Sequence, residues 1–557
     1  MNYIIFFLVL AVILTVTVLT QLSRKRKKTK WVAKAKAQWG QPIDDYRNFE
    51  RVSIYHNLID KEDCFQVIDQ KVADDLDLDE VFTYLDRTNS RVGQQYLYHM
   101  LRTPTNDLAR LNAFDNLIIS LQDNEDKRLE AQYTLSALNG NEAYHLPDLF
   151  LGDLPAKPGW LWITKTLPII NVGLIVAAFF QPTLLIMLVP TFLVNLILHY
   201  VNKRRIGKYT GSFLRLNSLV SVGKRLFDLG MLGVDLPEWK GNFKVVSSMK
   251  KRIGWISTES WQDNEAASLA WIALEYFKIL FLLEFNTFYT VLDQLKQKKK
   301  EIQYLYEAIG RLDAAISIAS FRKGLSSYTK PAFTDQKMLS LSNMKHPLIV
   351  DCVPSTIEVE DKGVLITGSN MAGKTTFIRT VAVNCILAQT IYTALADQFS
   401  LPFLRVFSSI RIADDLEDQK SYYMEEVFRV GELLERSQDD QSFNLFVIDE
   451  VFKGTNTIER VAAAKGILSQ LNNANCFVFV SSHDLELTQL LADQYDLYHF
   501  REMVNSDGLA FDYQLRDGIP TSKNAIKILE ISGYPSEVIE EAKRMAEMLE
   551  QDKNKKN

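Results

Sequence analysis

One lysine framed by glycines carries the strongest chemical signal in this sequence. The stretch Leu365-Ile-Thr-Gly-Ser-Asn-Met-Ala-Gly-Lys-Thr-Thr376 sets Gly368, Gly373, Lys374 and Thr375 at the spacing G-x-x-x-x-G-K-[ST]. The chemistry of such a loop is phosphate binding. Backbone N–H groups of Gly368, Ser369, Asn370, Met371, Ala372 and Gly373 can converge on an anion. Those of Lys374, Thr375 and Thr376 open a helix, whose N-terminus favours negative charge. The Lys374 ammonium adds a point charge, and the Thr375 hydroxyl is a ligand for Mg²⁺. Without a strand before it and a helix after it, the same string would be only a glycine-rich turn.

The flanks supply that context. Val364–Ile366 reads as a strand, and Thr376 to Gln389 as a helix. Downstream, Leu445-Phe-Val-Ile-Asp449-Glu450 reads as a buried parallel strand whose C-terminal end carries two carboxylates. Alone, each is an ordinary strand-end charge. Behind a phosphate loop, Asp449 suits Mg²⁺ and Glu450 suits orienting and deprotonating an attacking water. A third strand, Cys476–Val480, leads into Ser481-Ser482-His483-Asp484. Ligands of open parallel sheets bind past the strand ends, so His483 is placed to sense a γ-phosphate; its plainer reading is a histidine satisfied at a helix start. These residues together predict ATP hydrolysis with Mg²⁺ held by Thr375 and Asp449.

The elements around these residues resemble one family, the MutS-type DNA mismatch-repair ATPases. Thr367–Thr375 is similar to that family's phosphate loop, Asp449-Glu-Val-Phe-Lys-Gly-Thr-Asn-Thr457 to its acidic strand and following loop, and Ser421-Tyr-Tyr-Met-Glu-Glu426 to its signature segment. Ser369 stands where the family has proline, Thr375 where it has serine, and Phe452-Lys453 where it has Gly-Arg. The resemblance implies that Ser421 reaches the ATP of an opposite subunit, hence a homodimer with composite sites. Read locally, Ser421 is a helix N-cap before Tyr422–Glu435. The likeness extends to Lys345-His-Pro-Leu348, to Leu312–Ser320, to Leu85–Leu97 with Leu101–Pro104, and to Gly518–Ala542. It implies an α/β P-loop ATPase domain of the ABC type joined to an all-α core and lever domain, with DNA as a partner. Only about 75 residues precede the core motif, and Asn48-Phe49-Glu50 lacks the spacing of the family's G-F-x-E wedge. Direct mismatch reading by this chain is therefore not expected, because a wedge must unstack a base step.

Apolar stretches add a feature the resemblance does not supply. Tyr3–Leu19 contains no charge and as a helix spans about 25 Å. Arg24-Lys-Arg-Lys-Lys28 follows, with Lys30, Lys34 and Lys36. By the positive-inside rule this basic stretch is cytoplasmic. From Thr166 to Val201 there is again no Lys, Arg, Asp or Glu, and Gln181-Pro182 divides the run. Trp160–Phe180 and Thr183–Val201 then form a helical hairpin whose ends, at Trp160, Trp162 and Lys203–Arg205, return to one membrane face. The expectation is three spans in an inner or plasma membrane with the ATPase domain in the cytoplasm.

A net charge of −5 over 557 residues leaves no global basic footprint for DNA. Cys64, Cys352, Cys385 and Cys476 have no metal-ligand spacing and suit a reducing compartment. The segments follow in order: anchor 1–21, basic juxtamembrane linker 22–75, helical core 76–159, hairpin 160–202, core and lever 203–335, ATPase 336–519, C-terminal helical segment 520–557. Two functions remain open. One is a membrane-anchored MutS-like ATPase that clamps DNA, related to mismatch repair but without direct mismatch recognition. The other is a nucleotide-driven membrane clamp or transporter-type ATPase acting on a non-DNA partner. Ser421-Tyr-Tyr-Met lacks the L-S-G-G-Q string that a transporter ATPase requires.

Overall fold

Apolar runs with both faces buried become the central strands of a parallel sheet. In the computed structural model these are β4 (Gly363–Thr367), β7 (Phe443–Asp449) and β8 (Cys476–Ser481), all nearly or wholly buried along their length. The structure describes every residue except 1, 44, 233–274, 412–421, 440, 453–454, 474, 506–507, 521–525, 527–528, 531–532 and 557; the side chains of residues 2–13, 16, 202–214, 284, 370, 422, 503–505, 508–509, 547 and 549–556 also lie outside the description. Contacts divide the chain into two interleaved units. One comprises residues 1–61, 85–99 and 116–324, the other 62–84, 100–115 and 325–557.

The second unit holds the α/β fold. Before β4 come β1 (Ala332–Phe333), β2 (Leu339–Met344) and β3 (Ser355–Val359), which with β5 (Gln398–Leu401) form a four-stranded sheet in the order β1-β5-β2-β3. The six-stranded sheet has the order β12-β9-β4-β8-β7-β6, with β6 at Leu404–Ser409, β9 at Tyr495–His499 and β12 at Arg516–Asp517, while β10 (Glu502–Asn505) and β11 (Gly508–Phe511) pair as a separate two-stranded antiparallel sheet. Neighbours in the six-stranded sheet pair in parallel except β12 with β9. Parallel pairing needs helical crossovers. Helices Lys374–Ile391, Tyr422–Arg436 and Thr457–Leu471 lie between successive strands of this sheet, and Val430, Leu433, Ala464 and Leu468 pack with Phe446, Val478 and Val480 in one core. The parallel arrangement brings the C-terminal ends of β4, β7 and β8 side by side, with Ile366 opposite Ser481 and Asp449 opposite Ser481.

This unit also recruits residues 62–84, part of which the sequence assigns to a linker. Asp75 is fully buried and accepts from Ser408 Oγ, the Ile410 and Arg411 N–H groups and Arg429 Nη1, at 2.7, 3.1, 2.7 and 3.1 Å. Asp77 pairs with Arg379 at 2.9 Å and Arg411 at 2.8 Å. A buried carboxylate survives only with such donors, because its desolvation otherwise costs several kcal/mol.

The first unit is helical. Its first helix, Asn2–Gln38, runs without a break through the apolar stretch and the basic cluster. Trp31 meets Tyr133 edge-on at 5.5 Å, and Arg128 lies 3.7 Å over the Trp39 ring. The helix Arg91–Arg102 starts where Asp313, on the helix Lys299–Gly324, accepts from the Asn89 and Ser90 N–H groups and from Ser90 Oγ at 2.6 Å. A Cβ at Gly93 would lie 2.3 Å from Asp313 Oδ2, so only glycine fits there. Burial pushes the Asp313 carboxyl up to about 6 against these donors.

The hairpin forms as a pair of helices. Leu161–Ala178 is the first, and Pro182–Met187 begins the second as a 3₁₀ turn that continues as Leu188–Asp228. Among the described residues, two helices are long and apolar enough to cross a membrane, Leu161–Ala178 and Pro182–Val201. Two of the three expected spans are thus among these candidates; the first, Tyr3–Leu19, lies mostly outside the described side chains. Only 11 % of each apolar window is buried inside the protein, unlike a core helix. The long helix expected over Glu275–Lys323 is interrupted twice. Residues 275–280 are helical, a turn at 281–282 puts Leu282 at φ 48°, and the helices Leu283–Gln297 and Lys299–Gly324 follow.

Candidate functional site

The site is assembled where β4, β7 and β8 end. Gly368 follows β4 at φ 124°, and a Cβ there would meet the Phe500 carbonyl at 2.5 Å. Gly373 ends the loop at φ 110° and directly precedes the helix Lys374–Ile391. Both positions need glycine because an L side chain rarely tolerates this backbone region. Asn370–Ala372 form a 3₁₀ turn between them. Met371 is exposed, and Ala372 is buried.

Lys374 is wholly buried. Its Nζ donates to the Gly368 carbonyl and stands 3.3 Å from Nε2 of His483. Thr375 Oγ1 donates to Asp449 Oδ2 at 3.0 Å, and Ser481 Oγ donates to the other oxygen of Asp449. Thr376 is exposed at the start of the helix. The Ser369 hydroxyl is buried with no hydrogen-bond partner among the described residues. A buried donor without a partner costs about 1–3 kcal/mol, so a ligand oxygen that accepts from it recovers that cost.

Glu450 takes φ 64° immediately after β7, a strained setting for a residue with a side chain. Its N–H donates to the Ser481 carbonyl at 3.0 Å, and its Oε1 lies 3.0 Å from His483 Nε2. Asp484, next to His483, receives a two-pronged contact from Arg460, with Nε to Oδ2 at 2.8 Å and Nη2 to Oδ1 at 2.6 Å. Arg460 lies on the helix Thr457–Leu471, whose N-cap is Asn456. That helix follows the Glu450 loop, so the fork ties together the two strand-end segments that carry Glu450 and His483. The pair raises the Arg460 guanidinium above its usual range, chiefly through the hydrogen bonds to Asp484.

Eight of the residues singled out from the sequence thus sit in one place: Gly368, Ser369, Gly373, Lys374, Thr375, Asp449, Glu450 and His483. Ser421 lies outside the described residues, and the helix it was expected to cap starts at Tyr422. Among the described residues no cluster of three or more His, Cys, Asp or Glu could hold a metal ion. A hard-oxygen pair, the Thr375 hydroxyl and the Asp449 carboxylate, does fit the ligand chemistry of Mg²⁺.

Sequence reasoning missed the cavity beside the loop. About 330 Å³ in volume, it is lined by Met344, Ile349, Cys352, Val353, Phe377, Phe500 and Tyr513 and reaches Gly373 and Thr376. Its residues come from five separate stretches of chain, so no local pattern marks it. Lys345-His-Pro-Leu348, noted for its resemblance, connects two of its lining residues, Met344 and Ile349. Buried His346 accepts the Leu348 N–H at Nδ1 at 3.2 Å, and burial lowers its pKa to about 4. All four cysteines are free thiols.

A mixed α/β sheet with a glycine-bounded loop at its strand ends is the class of domain this geometry defines. Residues 364–550 match the family described as MutS domain V. Similar proteins include "DNA mismatch repair protein MutS" of Thermus thermophilus, 31 % identical over 45 % of this chain and 31 % of its own length. The protein of the same name from Oceanobacillus iheyensis is 31 % identical over 49 % of this chain and 32 % of its own length; that of Staphylococcus haemolyticus is 30 % identical over 49 % and 32 %. Residues 364–550 are thus a region of MutS domain V type, which is as far as the family match extends along the chain. The chain spans about a third of the length of the curated relatives it matches.

Proposed function

We propose that this chain is a membrane-anchored MutS-type ATPase that works as a dimer and uses ATP hydrolysis to control its hold on DNA. One observation carries the reading. A buried lysine, a threonine–aspartate pair and a strained glutamate facing a histidine converge on one glycine-bounded loop. That constellation suits a nucleoside triphosphate in a P-loop.

The roles follow from chemistry. Loop N–H groups and the unpartnered Ser369 hydroxyl bind phosphate oxygens, and the Lys374 ammonium exchanges its carbonyl contact for the outer phosphates. The apolar cavity takes the base, where Phe377, Phe500 and Tyr513 offer aromatic surface. Thr375 and Asp449 hold Mg²⁺, which screens phosphate charge. Glu450 accepts a proton from water as the water oxygen bonds to the γ-phosphorus and the bond to the β-bridging oxygen breaks. His483 senses the γ-phosphate, held beside Lys374 and Glu450. Ser421 completes the site of the neighbouring subunit, as the family resemblance implies.

The exposed apolar hairpin supports insertion in an inner or plasma membrane with the α/β unit in the cytoplasm. DNA is the partner carried over from the relatives' printed name, held through phosphates. Mismatch reading belongs to whole relatives of which this chain matches only a third, so it is not carried over.

Mixing tests the assembly and the site together. Lys374→Ala and Ser421→Ala chains should each be inactive alone. A heterodimer of the two contains one intact composite site, so hydrolysis should reach about half of wild type per heterodimer, or about a quarter in a randomly exchanged equal mixture. Mg²⁺-dependent hydrolysis in the Lys374→Ala homodimer overturns the site assignment. No recovery in demonstrated heterodimers overturns the action of Ser421 in trans. Affinity for duplex DNA should fall steeply between low and moderate salt, as phosphate contacts require; absence of any DNA binding at low salt favours a protein partner.

A further inference from the structure

Hydropathy passes over the segment that follows the hairpin, because Glu275, Lys278 and Glu284 interrupt its apolar run. Its structure is unusual. Residues 275–280 are helical, the chain turns at 281–282, with Leu282 in the left-handed region, and a new helix begins at Leu283. A broken helix frees backbone carbonyls that need donors. The Leu280 carbonyl receives two, Asn171 Nδ2 and Asn195 Nδ2, each at 2.7 Å. One asparagine comes from each helix of the hairpin, and both are wholly buried.

We propose that residues 275–286 form a third lipid-embedded segment, a broken helix stitched to the hairpin at mid-depth by Asn171 and Asn195. The proposal rests on the reading of the hairpin as membrane-inserted. Other contacts set the alignment. Thr164 Oγ1 meets Asn286 Oδ1 at 3.0 Å, and Asn286 Nδ2 donates to the Thr164 carbonyl at 2.8 Å. Trp160 stacks on Phe285 with centroids 5.4 Å apart, and Tyr276 meets Phe192 at 6.0 Å. The segment therefore runs from the open end of the hairpin toward its middle.

Two further features fit hydrocarbon outside and polar groups inside. Tyr276 and Phe277 are 58 % and 50 % exposed, on a segment whose Lys278 side chain is 9 % exposed and pairs with Glu275 at 3.4 Å. In water a charged side chain is the group that turns outward; here the aromatic rings do. A helix break at this depth is tolerated where neighbouring helices re-satisfy the freed backbone, and an ionisable pair is tolerated where it faces the bundle. The occupant of the outer face is lipid acyl chain, continuous with the layer that covers Ile169 and Ile197, themselves 71 % and 64 % exposed.

Cysteine accessibility in opened native membranes tests this on the full chain. In a background with the four native cysteines replaced by alanine, single cysteines are placed at Ile169, Ile197, Tyr276, Phe277 and Val350, the last 98 % exposed on the α/β unit. The probe is a charged, membrane-impermeant maleimide, which reacts with thiolate in water. Labelling at 276 and 277 should be at least roughly tenfold slower than at 350, as slow as at 169 and 197, and complete in SDS. Fast labelling at 276 and 277 with protection at 169 and 197 overturns this proposal alone. Fast labelling at 169 and 197 overturns the membrane reading beneath it. Replacing Asn171 and Asn195 by leucine should speed labelling at 276 toward that of 350 while 169 stays protected; unchanged labelling removes the asparagines from the role given them.

Discussion

The α/β unit and the hairpin bury opposite kinds of atoms. In β4, β7 and β8 the apolar side chains of Val364–Ile366, Leu445–Ile448 and Phe477–Val480 are 0 % exposed, and the charged groups gather at the strand ends where a ligand can reach them. In the hairpin Phe179 and Phe180 are 85 % and 88 % exposed, whereas Thr164, Asn171 and Asn195 are 0 % exposed. Both regions are rich in Ile, Leu, Val and Phe, so composition does not separate them. The polarity of what is inside does. Hydrophobic burial drives the first arrangement in water. The second costs free energy in water and none in hydrocarbon, where packing and interhelical hydrogen bonds hold helices together.

Substitutions can break or sharpen that contrast. The largest effect is expected at the polar rim of the buried sheet. Glu450→Gln should leave ATP binding intact and lower turnover about 10²–10⁴-fold, the range for loss of a general base. Single-turnover hydrolysis beside a nucleotide-binding titration checks it; equal turnover removes Glu450 from the chemistry. The next compares like with like. Leu365→Ala, in a fully buried strand, should cost about 2–5 kcal/mol, and Ile186→Ala, 72 % exposed on the hairpin, within about 0.5 kcal/mol. Denaturant unfolding in detergent measures both. A large loss at Ile186 would mean that the hairpin is a packed protein core.

The third prediction concerns pH in the α/β unit. Burial lowers His346 from 6.5 to about 4, so the folded state binds this proton less readily than the unfolded one. Its contribution is fully present above pH 6.5 and is lost as pH falls toward 4, about 3 kcal/mol in all. His346→Gln should flatten the stability curve between pH 7 and 4 relative to wild type. An unchanged slope would assign the acid sensitivity to other groups.

Legibility in the sequence tracked distance along the chain. Gly368, Gly373, Lys374 and Thr375 lie within one loop, and Asp449 and Glu450 are consecutive, so their spacing alone announces phosphate chemistry. The strands were legible for the same reason: four or five consecutive apolar residues ending in polar ones form a local pattern. The cavity of Met344, Phe377, Phe500 and Tyr513 was not legible, because its walls come from separate strands and loops. Nor was the work of Asp75, read as linker, since its donors Ser408, Arg411 and Arg429 lie more than three hundred residues away.

By itself the sequence determined which segments could bind phosphate, which could leave water, and, to within a turn, where the strands and the helix around the phosphate loop begin. These are properties of a few neighbouring residues and of the periods of helix and strand. The tertiary structure decided which residues meet. It set Thr375 against Asp449, His483 between Lys374 and Glu450, Asp313 under the start of a helix that begins at Arg91, and both hairpin asparagines on the carbonyl of Leu280. The physical reason is that a buried polar group must find its partner wherever the packing brings one, and no local rule fixes how far along the chain that partner lies.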